Sequence, residues 1–75
     1  MQTYRIRDEH IKLGQALKAS GLCGSGVEAK FEVQAGKVKV NGAVETARGK
    51  KLVGGDLVEY NGQTLRILSA SDEQE

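Results

Sequence analysis

Histidine and cysteine occur once each in this 75-residue chain, as His10 and Cys23, and tryptophan is absent. A single cysteine excludes an internal disulfide and any metal site built from cysteines alone. A single histidine, with no second ligand or base at a recognisable spacing, makes no catalytic pair; its expected place is the surface or a helix cap. Aromatic residues are also scarce: Phe31, Tyr4 and Tyr60 are all there are. Phe31 and Tyr4 fall at positions expected to face inward, so no platform for stacking splayed nucleobases is expected. No apolar run approaches the roughly 20 residues that a membrane-spanning helix needs. With no signal-like apolar stretch at the start and almost no cysteine, the expected location is the cytoplasm.

Small size excludes more. A chain of this length gains roughly 3–5 kcal/mol net from its core, so turns and caps must contribute. Walls for a deep substrate pocket would consume that core, which weighs against an autonomous enzyme. Cys23 lies between glycines in "GLCGSG", which lacks the Lys-Ser/Thr of a phosphate loop and follows no strand directly. No metal and no cofactor are expected. "GLCG" does match the G-x-x-G of KH domains, but four residues are weak evidence and strands follow where a KH domain usually has a third helix.

What the chain does have is glycine at turns and a regular apolar spacing. "TYRIR" alternates as a short strand, with Tyr4 and Ile6 on one side. "IKLGQALKAS" places Leu13, Ala16, Leu17 and Ser20 at helical spacing, with Asp8 or Glu9 expected near the positive helix start. Ser25 and Glu28 form a capping box for a second helix, whose apolar side is read as Val27 with Phe31 and Ala29 with Val33. Gly36 is placed to stop it. "KVKVNGAVE" and "DLVEYNGQTLRIL" each turn at Asn-Gly, the strongest short hairpin signal. Val38, Val40, Val44, Leu65 and Ile67 are expected inward, and Lys37, Lys39 and Arg66 outward. The basic stretch "TARGKKLVGG" reads as a loop between the hairpins. The order implies an α+β fold, two helices packed on one side of a small antiparallel sheet of about four to five strands. One domain over residues 1–68 and a disordered acidic tail over 69–75 are expected.

The formal net charge of +1 conceals an uneven distribution. Asp72, Glu73 and Glu75 stand in the tail, leaving eleven bases against seven acids before it. Six bases (Lys30, Lys37, Lys39, Arg48, Lys50, Lys51) face two acids, Glu32 and Glu45, in the middle third. On the second helix Gly26, Lys30 and Gln34 recur every four residues, with Lys37 just past its end. Lys12 is expected beside that line, giving a basic, glycine-relieved groove suited to a ribose-phosphate backbone. A merely solvated polar face is equally compatible with the spacing.

Lys12-Leu13, Leu17, Ser25, Ala29-Lys30, Gly36, Val38, Val40-Asn41-Gly42 and Gly55-Asp56 together resemble one known family. It is the RNA-binding domain named after ribosomal protein S4, the alpha-L RNA-binding motif. The family pattern is roughly R-L-D-x-x-L, S-R-x-x-A-x-x-x-I-x-x-G-x-V-x-V-N-G, then G-D. The resemblance covers residues 11–58 and is nearest to stand-alone bacterial members of the YbcJ/YaaA type. It implies a non-catalytic module that binds structured RNA, ribosomal or transfer RNA, with ribosome association in view. Carried over by position, Lys12 matches the first-helix arginine, Ser25 the serine opening the second helix, and Lys30 the base after the alanine. Gly26 stands where many members have arginine and Gly14 where they have aspartate; Arg48, Lys50 and Lys51 are expected to compensate. The expected RNA-binding residues are therefore Lys12, Ser25, Gly26, Lys30, Lys37, Arg48, Lys50 and Lys51, on a monomer with no DNA or membrane partner. The alternative is a protein-interaction module or the detached targeting subunit of an RNA-modifying enzyme.

Overall fold

In a computed structural model, residues 1–70 are described. The elements run β1 (Gln2–Arg5), β2 (Ile11–Lys12), α1 (Leu13–Ala19), α2 (Gly26–Gln34), β3 (Val38–Val40), β4 (Ala43–Val44), β5 (Lys51–Leu52), β6 (Leu57–Tyr60) and β7 (Gln63–Leu68). Five strands form the main sheet in the order β1-β7-β6-β3-β4, and β2 pairs with β5 in a second ladder. The α+β architecture, two helices against a small sheet, is as the sequence implies. The sheet is mixed, however, where an antiparallel one was expected. β1 lies parallel to β7, Gln2 opposite Leu65 and Arg5 opposite Leu68, because the helices and hairpins between them form the crossover that a parallel pair requires.

Local chemistry accounts for the elements. Asn41 and Asn61 adopt φ of 53° and 54°, followed by Gly42 and Gly62 at 86° and 78°, so both Asn-Gly turns have positive φ at each central residue. Ser25 Oγ accepts from the Glu28 amide at 3.1 Å. Glu28 Oε1 accepts from the Gly24 amide at 2.8 Å, one residue earlier than the cap amide that the capping box specifies. At the other end Gly36, at φ 79°, donates to Val33 O, and Lys37 donates to Glu32 O, the paired bonds of a Schellman motif. Asn41 carries a second duty. Its Oδ1 accepts from the Leu57 amide at 2.9 Å and its Nδ2 donates to Asp56 Oδ1 at 3.1 Å, tying the first hairpin turn to the start of β6.

Leu13, Leu17, Ala29, Val33, Val38, Leu52, Val58, Leu65 and Ile67 have no accessible surface and make one core with the nearly buried Ile6, Cys23 and Val40. Three side chains depart from expectation. Phe31 is 61% and Val27 64% exposed, because a helix that buries Ala29 and Val33 turns residues two positions away to its opposite side. Val44 is 55% exposed because the two-residue turn pairs it with Lys39, which already faces outward. Asp8 and Glu9 do not reach the first turn of α1, since β2 intervenes. The stretch read as a loop contains β5, and its Leu52 belongs to the core. The "GLCG" turn buries Cys23 instead of presenting a clamp. Most of the expected tail lies outside the described residues.

Candidate nucleic-acid interface

α1 begins without a side-chain cap. Its N-cap is Lys12, whose side chain makes no capping bond. The orphan amides of the first turn are satisfied from far along the chain: Leu13 donates to Lys50 O at 2.8 Å and Gly14 to Arg48 O at 2.9 Å. A Cβ on Gly14 would sit 3.5 Å from Arg48 Cβ, so the segment lies directly against the helix start. The backbone bonds therefore fix Arg48, Gly49 and Lys50 over the beginning of α1. The β2–β5 ladder adds the next pair. Ile11 opposite Leu52 faces the core, which turns Lys12 and its cross-strand partner Lys51 to the outer side.

The result is a groove of about 360 Å³ lined by Lys12, Gly14, Gln15, Lys18, Gly26, Arg48 and Gly49. Three cations line it and no carboxylate does. Like charges directly opposite on a ladder destabilise it, and among the described residues no carboxylate pairs with Lys12, Lys18, Arg48, Lys50 or Lys51. Gly26 opens the wall: nothing lies within 4 Å of where its Cβ would be. As the first residue of α2, it also brings the positive end of that helix to the groove.

Of the expected site residues, Lys12, Gly26 and Arg48 share the groove, and Lys50 and Lys51 adjoin it through their backbone partners. Ser25 sits next to Gly26 with its hydroxyl engaged as the cap. Lys30 is half-buried one turn further along α2 and does not line the groove. Lys37 is elsewhere. It stands 3.8 Å from Glu32 and lines a separate depression with Lys39, Glu59 and Tyr60. Glu32 also accepts from Tyr60 Oη at 2.7 Å, a bond that holds the tyrosine hydroxyl protonated well above its ordinary range. Gln15 and Lys18 were not anticipated, although the spacing Lys12, Gln15, Lys18 already marks one helical face. Cys23 is buried, and burial, followed by Glu28, pushes its thiol pKa upward. Among the described residues no three His, Cys, Asp or Glu side chains converge in a metal-holding group.

The S4 domain family model matches residues 4–68. The chain belongs to the S4 domain family. This S4 domain is 36% identical over 70 residues to YbcJ of Escherichia coli (strain K12), covering 92% of this chain and 100% of YbcJ. It is 42% identical over 57 residues to RlbA of Bacillus subtilis (strain 168), a protein named for ribosome maturation, covering 76% and 80% of the two chains. The solution structure of Escherichia coli YbcJ, described as revealing an alpha-L motif involved in RNA binding, superposes with a TM-score of 0.71. That match covers 91% of this S4 domain and 87% of the YbcJ chain.

Proposed function

We propose that this S4 domain is a non-catalytic RNA-binding module that holds phosphates of a structured RNA in the groove between α1, α2 and the 45–51 segment. The observation that carries the reading is the Lys12–Lys51 pair beside Arg48, a set of cations without a carboxylate partner among the described residues. Phosphates would relieve that repulsion and release condensed counterions. The relatives support the ligand class, YbcJ through RNA binding and RlbA through ribosome maturation, which favours ribosomal over transfer RNA. The buried, poorly acidic Cys23 and the isolated His10 supply no nucleophile or acid–base pair in the groove.

The test is a salt titration against ribosomal and transfer RNA. Each neutralised phosphate contributes a slope of about −0.7 to −0.9 in log affinity against log salt. Lys12→Ala with Arg48→Ala should flatten the slope by roughly 1.5 and weaken all sequences of one shape alike. A full slope in that double variant removes the groove from the interface. No salt-dependent binding by the intact protein removes the RNA-binding reading itself.

A further inference from the structure

Next to the basic groove is a second depression of about 390 Å³, within the roughly 300–1,000 Å³ of small-molecule sites. Tyr4, Ile6, Ile11 and Ala19 give it an apolar surface, and Arg7, Asp8 and His10 stand around it. Gln15 and Lys18 line both depressions, forming the ridge between them. The geometry points to this cavity as the seat of an unpaired nucleobase, belonging to the same RNA whose phosphates lie in the groove; the inference rests on the RNA-binding reading above.

Three observations carry it. Lys18 lines both depressions, so a phosphate held by Lys18 would stand beside the cavity and a base swung out of its stack could enter it. An apolar surface that includes the half-buried Tyr4 suits a flat ring with a polar edge. Asp8 supplies the third. A carboxylate beside a phosphate groove repels the backbone, but it accepts from the ring and exocyclic N–H groups of a base edge, as guanine presents them. Among the described residues the side chains of Arg7, Asp8 and His10 have no hydrogen-bond or ion-pair partner, so each is available to such an edge.

Two probes with equal phosphates test this: one RNA stem closed by a randomised four-nucleotide loop, and the same stem closed by four abasic nucleotides. The intact protein should bind the first about tenfold more tightly, the scale of one accommodated base. Ala19→Leu fills the cavity from an exposed helix position and should bring that ratio near one, with the salt slope kept. Asp8→Asn should lower the share of guanine among the loops selected from the pool. Equal binding of both stems, with a steep salt slope, overturns the base site and leaves the groove standing. Absence of salt-dependent binding to either stem overturns both readings. If Ala19→Leu keeps the tenfold ratio while Phe31→Ala loses it, the base stacks on the outer side of α2 and the cavity is not its site. If the cavity instead takes a protein side chain, the two stems bind alike and Ala19→Leu changes neither.

Discussion

Leu52 and Phe31 show how position outweighs composition for a single side chain. Leu52 sits among Lys50, Lys51 and Gly54 in a stretch with the look of a loop, yet it has no accessible surface. Phe31 is the larger apolar residue, yet 61% of it is exposed. Leu52→Ala should therefore cost about 2–5 kcal/mol, as buried leucines do. Phe31→Gln should stay within about 0.5 kcal/mol of the parent. Urea midpoints of the two variants decide the matter, and a loss of several kcal/mol for Phe31→Gln would mean that α2 is rotated from the orientation described. Spacing alone accounts for the exposed positions of Val27, Phe31 and Val44. Residues two apart cannot share a helix face, which sets Val27 and Phe31 against Ala29 and Val33. A two-residue hairpin turn pairs Val40 with Ala43 and so Lys39 with Val44, and Lys39 faces outward.

At the level of elements, the parts with local causes were legible and the parts with distant causes were not. Ser25 with Glu28, Gly36 and the two Asn-Gly turns each specify a boundary within a few residues, and each boundary is where those residues put it. Ser25→Ala should cost about 0.5–2 kcal/mol by removing the bond to the Glu28 amide. Thermal or denaturant unfolding measures it, and an unchanged midpoint would mean that α2 starts elsewhere. α1 has no comparable local signal. Its cap is the pair of carbonyls on Arg48 and Lys50, which nothing near Lys12 in sequence announces. The parallel docking of β1 on β7 and the β2–β5 ladder have the same origin, since each joins segments that only the finished fold brings together. The helix that depends on the 45–50 segment is also the helix whose start carries Lys12, so the cap and the groove are built by one set of bonds.

For the molecule as a whole, the location of charge matters more than its sum. The sequence marks the middle third as basic, but the fold leaves Lys30 half-buried on α2 and separates the other five bases into two groups. Arg48 joins Lys12 and Lys18 in the groove, with Lys50 and Lys51 adjoining it, while Lys37 and Lys39 line a different depression and Lys37 is partnered by Glu32. Lys37→Ala should accordingly leave the salt slope of RNA binding unchanged, in contrast to the Lys12 and Arg48 pair. Asp72, Glu73 and Glu75 lie beyond residue 70, and ending the chain there raises the formal charge from +1 to +4. That change adds no phosphate contact, so it should leave the slope as it is and speed association at low salt through steering. Above about 0.5 M salt, where the Debye length falls toward a few ångströms, the shortened and intact chains should associate alike. Stopped-flow association rates across a salt series check this, and a shortened chain that binds more weakly at every salt concentration would place part of the RNA contact in the removed residues.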